Sequence, residues 1–208
     1  MEYCGNEDRI CQLDGADDDI LDELSDAEND DEEENKDYST QFNVINTNAR
    51  SLCPKIDSLI DCFGEMDAKI GIITETWLAD GESLERDIRD LANGAGLGMV
   101  CLNRKENNRG VAHGGVAIVS NTATCSLTRL DLPNPEGFEV LVTSSNIQGY
   151  SRKLLTVACY LPPNYPVQRG KEALNHVEDT VLELKRRYKD PFIIVGGDFN
   201  QWAIDDAL

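Results

Sequence analysis

Eight short apolar runs, punctuated by Gly, Pro and Asn, occupy the chain from residue 42 onward. Short runs of apolar and β-branched residues that end at turn-forming residues are typical of β-strands. We predict strands near residues 42–47, 69–74, 98–102, 114–120, 124–130, 138–146, 153–160 and 191–196. So many neighbouring strands favour a sheet-based domain over a helical bundle.

Three segments repeat apolar residues every three or four positions, which is the spacing of one face of a helix. They are a short helix after Pro54, a second over residues 83–91 and a longer helix over 169–189. Strands outnumber helices, and they follow one another without a regular alternation of strand and helix. The pattern therefore predicts an α+β domain built from layered sheets.

Residues 1–40 differ sharply in composition from the rest. They hold 17 Asp and Glu against two basic residues, a net charge of −15, whereas residues 41–208 hold 22 acids against 17 bases, a net charge of −5. Self-repulsion and few apolar groups predict disorder over 12–37. We therefore assign 1–40 to an acidic tail and 41–208 to the folded domain. The tail either solvates the protein or binds a basic protein partner.

The sequence also bears on the cellular compartment. No stretch has the roughly 20 uninterrupted apolar residues that a membrane helix needs, and the N-terminus lacks the pattern of a secretion signal. The seven cysteines are an odd number at scattered spacings. We interpret them as reduced thiols of a nuclear or cytoplasmic protein, with Cys101 and Cys159 buried as small apolar residues.

Four of the predicted strands end in an acid, an amide or a phenol, and strand ends are where sheet enzymes gather reactive groups. Glu75 follows an apolar run, and a buried carboxylate needs a cation or a proton. A hard ion such as Mg²⁺ fits that position. Asp198 follows two glycines that permit a tight turn. If the strand continued, Asn200 would point the same way as Asp198, and the two would jointly orient a water.

Five motifs occur in order along the chain: NARSL at 48–52, TETWL at 74–78, GGVAIV at 114–119, YLPPN at 160–164 and GDFN at 197–200. Together they resemble the endonuclease/exonuclease/phosphatase superfamily, and more narrowly the apurinic-type endonuclease domain of non-LTR (LINE-type) retrotransposons. The resemblance implies a four-layer α/β sandwich of the deoxyribonuclease I type. It also implies Mg²⁺-dependent cleavage of phosphodiester bonds in DNA, with Mn²⁺ as an alternative ion.

The resemblance further implies a role for each matching residue. Glu75 would be the principal metal ligand, and Asn48 would support the metal or a phosphate oxygen. Tyr160 would hydrogen-bond to the phosphate as charge develops. Asp198 would orient or deprotonate the attacking water, helped by Asn200. Asn164, the last residue of the YLPPN motif, would contact the substrate. Arg109, outside the five motifs, is a further candidate for substrate contact, through the backbone phosphate.

The sequence departs from the family pattern after Asn200. That pattern continues with a strand-borne Asp and a Ser-Asp-His triplet, and neither occurs before Leu208. The chain has two histidines, His113 and His176, and neither follows a Ser-Asp pair. The resemblance therefore implies a domain that is incomplete at its C-terminus, inactive as residues 1–208, and part of a longer reading frame.

Several alternatives stay open at this point. Asn46 is an alternative to Asn48 in the first motif, and His113 is a candidate for backbone phosphate contact. Trp77 and Trp202 either pack at the rim of the site or stack on a base. The domain is alternatively a phosphatase of the same fold, or a non-catalytic binding module whose acidic tail recruits a basic partner.

Overall fold

The computed structural model describes residues 42–79, 83–103, 114–133, 135–163 and 166–200. The chain divides into two units, Met1–Tyr38 and Ser39–Leu208, and all described residues lie in the second. The predicted acidic tail therefore lies outside the described residues.

Eight strands and three α-helices form the described part of the domain. The strands are β1 Asn43–Asn48, β2 Ala68–Thr74, β3 Leu97–Leu102, β4 Val116–Asn121, β5 Cys125–Arg129, β6 Glu139–Ile147, β7 Leu154–Tyr160 and β8 Phe192–Asp198. The helices are α1 Ile56–Glu65, α2 Ser83–Gly94 and α3 Val167–Arg187, and a single 3-10 turn, Cys53–Lys55, precedes α1. Each predicted strand and helix is confirmed, with its bounds shifted by a few residues at most.

The strands form two four-stranded sheets, the first in the order β1-β2-β4-β3 and the second in the order β5-β6-β7-β8. Neighbours are antiparallel except for two pairs, β1 with β2 and β7 with β8. Those two pairs are the ones connected through a helix, α1 and α3 respectively. A parallel pair needs such a crossover because both strands must start at the same end of the sheet.

Three apolar clusters lie between the layers of helices and sheets. One lies between the first sheet and helices α1 and α2, and contains Phe63 and Ile88. The second lies between the two sheets and contains Ile72 and Leu141. The third lies between the second sheet and α3, and contains Leu184. The order helix, sheet, sheet, helix is the predicted four-layer sandwich, so the predicted fold class is confirmed.

The predicted burial of two cysteines is also confirmed. Cys101 is 6% exposed and Cys159 fully buried, and burial raises the pKa of both thiols to about 12. Cys53 and Cys125 are, like these two, thiols that form no disulfide. Among the described residues, no helix combines the length and apolar character needed to cross a membrane.

Candidate active site

Four strands place predicted site residues at one edge of the two sheets. Asn48 ends β1, where it lies opposite Thr74 at the end of the parallel strand β2, so Glu75 follows directly. Tyr160 ends β7 and lies opposite Asp198 at the end of the parallel strand β8. Because the carboxyl ends of parallel strands meet at the same edge, each sheet contributes two adjacent polar side chains.

The amide of Asn48 joins the two carboxylates of this site. Its Nδ2 donates to Glu75 Oε1 at 2.9 Å and to Asp198 Oδ2 at 2.7 Å. Its Oδ1 accepts a hydrogen bond from the backbone N–H of Arg50 at 3.1 Å, which fixes the orientation of the amide. Tyr160 adds a second hydrogen bond to Glu75, from its hydroxyl to Oε1 at 3.2 Å. Groups from both sheets thus meet on one carboxylate.

The backbone around the site adopts a conformation that is uncommon for residues with side chains. Glu75 has φ 52°, Trp77 54° and Asn200 51°, all in the left-handed region. Such a residue costs on the order of 1 kcal/mol or more and persists only where neighbouring structure holds it. The loop after β1 provides part of that support, because Ser51 N–H donates to the Glu75 carbonyl at 2.9 Å and Leu52 N–H to the Thr76 carbonyl at 3.0 Å.

This fold and site can be compared with known proteins. Residues 35–208 match the profile of the Endonuclease/Exonuclease/phosphatase family. The chain belongs to this family. Among curated protein sequences, none matches the chain significantly.

Solved structures with a similar fold include the human Nocturnin catalytic domain with bound sulfate, at 11% identity and a TM-score of 0.59, with 76% of this chain and 64% of that one covered. A humanized D. rerio TDP2 matches at 13% identity and a TM-score of 0.53, covering 79% and 64%. The 3′ phosphatase NExo from Neisseria, bound to a product DNA hairpin, matches at 17% identity and a TM-score of 0.53, with 76% of this chain and 57% of that one covered. These identities show a shared fold alone. The chain spans less than two thirds of the length of each structure.

The donor set suits the kind of ion that members of the endonuclease/exonuclease/phosphatase family generally use, a divalent metal. The carboxylates of Glu75 and Asp198 lie together on either side of the Asn48 amide nitrogen, while the Asn48 amide oxygen accepts from Arg50 N–H. The described residues contain no group of three or more His, Cys, Asp or Glu side chains that could hold a metal ion. Mg²⁺ commonly binds through one or two carboxylates, with water and substrate phosphate as its other ligands. The residues therefore fit a hard divalent cation whose remaining ligands are water and substrate phosphate.

Tyr160 is a hydrogen-bond donor at this edge of the sheets. Burial raises the pKa of its phenol above the ordinary value of 10.0, and the nearby charge of Glu75 raises it further. Smaller contributions of the same sign come from Glu139 and Asp198. The phenol is therefore neutral at physiological pH and keeps its proton for donation.

Asn200 lies beside Asp198 but in a different arrangement from the one predicted. Strand β8 ends at Asp198, and Asn200 turns back so that its backbone N–H donates to Asp198 Oδ1 at 2.9 Å. Its side-chain Nδ2 donates to the Leu161 carbonyl at 2.6 Å. The strand does not continue, so the Asn200 amide anchors the loop after β7 rather than pointing alongside Asp198.

The structure separates the two asparagines of the first motif. Asn46 Nδ2 donates to the Gly197 carbonyl at 3.2 Å, whereas Asn48 contacts both carboxylates. The geometry thus favours Asn48 for the site and gives Asn46 a bridging contact between β1 and β8. His176 lies on α3, with its ring edge-on to Phe138 at 5.7 Å, and burial lowers its pKa.

Other predicted residues lie outside the described part of the chain: Asn164, Arg109, His113 and Trp202. One buried acid near the site was missed by the sequence analysis. Glu139 begins β6, is 6% exposed, and lies opposite Tyr160. The signal in the sequence was an acid at the start of an otherwise apolar strand, since a carboxylate is seldom buried unless it has a partner.

Proposed function

We propose that this domain is a divalent-metal-dependent phosphodiesterase that nicks DNA. The observation that carries the proposal is the joining of Glu75 and Asp198 through the Asn48 amide, with the Tyr160 hydroxyl on the same Glu75 oxygen. Cleavage of a phosphodiester needs charge neutralisation, a positioned water and donors directed at the developing charge. This set supplies a group for each requirement.

Each residue has one task in the proposed mechanism. Glu75 would hold Mg²⁺ or Mn²⁺, Asn48 would support the metal or a phosphate oxygen, and the bound ion would supply positive charge next to the phosphate. Asp198, oriented by the Asn48 amide and the Asn200 backbone, accepts a hydrogen bond from the attacking water and takes its proton. Tyr160 donates to a phosphate oxygen as negative charge develops there. The water oxygen bonds to phosphorus as the bond from phosphorus to the 3′ oxygen breaks, and that oxygen takes a proton from solvent. The products are a 5′ phosphomonoester and a free 3′ hydroxyl.

Two lines of support favour DNA as the substrate. The NARSL and YLPPN motifs resemble the LINE-type retrotransposon branch, whose endonuclease nicks target DNA to expose a 3′ hydroxyl, and we extend that role to this chain. Among the structures of similar fold, NExo is described with a product DNA hairpin and D. rerio TDP2 with a single-strand DNA product. We further assign substrate contact to Asn164, which lies in the YLPPN motif, and backbone phosphate contact to Arg109.

A phosphatase acting on a phosphomonoester is the second candidate. The same ligands and donors serve either reaction, and the structural neighbour NExo is itself described as a 3′ phosphatase. Supercoiled plasmid, a 3′-phosphorylated oligonucleotide and inositol phosphates form a substrate panel that separates the two activities. Nicking without release of inorganic phosphate supports the endonuclease.

Metal binding is the primary test, because residues 1–208 contain no Ser-Asp-His triplet and we therefore expect slow turnover from them. Mn²⁺ binding to the full chain is measured by electron paramagnetic resonance of the free ion, for the wild type, Glu75→Ala and Glu172→Ala. Glu172 is an exposed acid on α3 and serves as the control. We expect Glu75→Ala to abolish the site and Glu172→Ala to leave it intact.

Plasmid nicking in Mg²⁺, measured with and without Asp198→Ala, tests the chemistry separately. We expect any nicking by the wild type to fall by two orders of magnitude or more, roughly the loss seen when a general base is removed. Equal Mn²⁺ affinity in the wild type and Glu75→Ala would contradict the metal assignment. Equal nicking in the wild type and Asp198→Ala would contradict the role of Asp198.

A further inference from the structure

Glu139 is a buried carboxylate that the proposed mechanism does not use. It begins β6 in the second sheet and is 6% exposed. Its Oε2 accepts a hydrogen bond from the backbone N–H of Gly115 at 2.7 Å, just before β4 of the first sheet. Burying a carboxylate is costly unless hydrogen bonds compensate for lost water. This contact therefore connects the two sheets at a specific point.

The glycine pair that Glu139 contacts has no room for side chains. Gly114 has φ +92° and Gly115 has φ +86°, a region that favours glycine. A Cβ on Gly114 would lie 2.7 Å from Glu139 Oε1, and one on Gly115 would overlap with Thr76 Oγ1. The pair is thus packed directly between the Glu139 carboxylate and the segment that follows β2.

The carbonyls of the same pair hold the segment that carries Glu75. Thr76 N–H donates to the Gly115 carbonyl at 3.2 Å, and Trp77 N–H donates to the Gly114 carbonyl at 2.9 Å. Glu75 and Trp77, on either side of Thr76, both have left-handed φ values. Since an unfavourable backbone conformation persists only when its surroundings fix it, these two hydrogen bonds help to set the direction of the Glu75 side chain.

We propose that Glu139 is a positioning residue for the candidate metal site. Its carboxylate fixes the Gly114–Gly115 turn, the turn fixes the Glu75–Trp77 backbone, and that backbone directs the Glu75 carboxylate toward the ion. The inference rests on the proposed function, because it takes Glu75 to be a metal ligand. Groups that orient a metal ligand typically change metal affinity by roughly 10- to 100-fold when they are removed.

The test compares three variants of the full chain: Glu139→Ala, Glu139→Gln and Leu141→Ala. The glutamine keeps an oxygen that accepts from Gly115 N–H. Leu141 lies on the same strand, is 1% exposed and packs between the sheets, so it controls for a general loss of stability. Mn²⁺ affinity is measured by electron paramagnetic resonance, and the unfolding temperature by calorimetry. Trp77 emission is recorded in a Trp202→Phe background, which leaves Trp77 as the one tryptophan.

We expect Glu139→Ala to weaken Mn²⁺ binding by roughly 10- to 100-fold and to shift the emission of Trp77 in the metal-free protein. Glu139→Gln should weaken binding less than Glu139→Ala. Leu141→Ala should lower the unfolding temperature without changing Mn²⁺ affinity or Trp77 emission. If Glu139→Ala does not fold, Glu139→Gln is compared with Leu141→Ala, and a larger loss of affinity in the glutamine variant supports the role.

Two outcomes overturn the inference. One is wild-type Mn²⁺ affinity in the folded Glu139→Ala protein, and the other is an equal loss of affinity in Leu141→Ala. A Glu75→Ala measurement separates this failure from that of the proposed function. If Glu75→Ala binds Mn²⁺ like the wild type, the metal assignment itself fails. If Glu75→Ala loses the ion while Glu139→Ala keeps it, the positioning role alone fails.

Discussion

The amide of Asn48 allows two acids from different sheets to approach each other. Both of its Nδ2 hydrogens are used, one for Glu75 and one for Asp198. An amide donates to two carboxylates without carrying charge, whereas a third carboxylate at this position would repel both. Residue 48 therefore determines how strongly the two carboxylates repel each other, and under the proposed function it does so before a cation binds.

Asn48→Asp is expected to lower the free energy of unfolding by about 1–3 kcal/mol at neutral pH, because two donors are lost and a like charge is added. The loss should shrink when Mn²⁺ is added, since the ion neutralises the extra charge. Urea denaturation with and without Mn²⁺ measures both effects. Asn175→Asp, at an exposed position on α3, is the control for adding a charge. A loss that Mn²⁺ leaves unchanged would argue against an ion at this point.

The raised pKa of Tyr160 has a consequence for stability at alkaline pH. Folding favours the protonated phenol, so the stabilisation is fully present below the unfolded pKa of about 10 and is lost as the pH rises through the higher folded pKa. Tyr160→Phe cannot titrate at this position. We therefore expect the wild type to lose more stability than Tyr160→Phe between pH 8 and roughly pH 11, measured by chemical denaturation. Parallel curves would show that the phenol titrates normally.

At the scale of the element, the end of β8 depends on one glycine. Gly197 has φ +137°, and a Cβ there would overlap with the backbone carbonyl of Cys159 on β7. Because the obstacle is backbone on the neighbouring strand, no side-chain rotation relieves it. The strand would have to separate from β7 at the position just before Asp198.

Gly197→Ala should therefore lower the free energy of unfolding by more than about 3 kcal/mol and weaken any activity that depends on Asp198. Gly64→Ala is the matched control, because Gly64 lies in α1 with open space around the position of a Cβ. That change should stabilise the protein by about 0.5–1 kcal/mol, since alanine is the better helix former. Thermal unfolding of both variants tests the contrast. If both variants lost similar stability, the destabilisation of Gly197→Ala would not come from the contact between β7 and β8.

The strands and helices could be predicted because their sequence patterns are local. Several contacts of the site could not be predicted, because they join residues that are far apart in sequence. Apolar runs and helical spacing indicate strands and helices one segment at a time. The role of Asn200 depended on β8 continuing, and the left-handed turn after Asp198 ends it. Glu139 acts through Gly115, 24 positions away. No local pattern reveals which buried acid will meet which backbone N–H.

At the scale of the whole domain, the site exists because two sheets pack face to face. Asn48 and Asp198 are 150 positions apart in sequence and are joined at 2.7 Å. The contact of Gly196 with Ile72 shows how closely the sheets approach, since a Cβ on the glycine would lie 2.7 Å from Ile72 Cδ1. Motif order places each residue on its strand, but only the packing of the sheets decides that the four strand ends coincide.

Electrostatic repulsion acts over the whole molecule, and residues 1–40 hold most of the net negative charge. They hold a net charge of −15, against −5 for residues 41–208, so their removal takes away most of the repulsion toward DNA. We expect a chain of residues 41–208 to bind duplex DNA more tightly than the full chain at roughly 0.01 M salt, where the Debye length is about 30 Å. The difference should narrow at roughly 0.1 M salt, where that length is about 10 Å.

Fluorescence anisotropy of a labelled duplex measures both affinities. A full-length variant with every Asp and Glu of residues 1–40 changed to Asn and Gln separates charge from length, because it keeps all 40 residues. If charge is the cause, the neutralised and shortened chains bind alike, and both bind more tightly than the wild type. If neutralising the acids or deleting residues 1–40 weakens DNA binding, the acidic segment contacts the DNA complex itself, and repulsion alone is the wrong explanation.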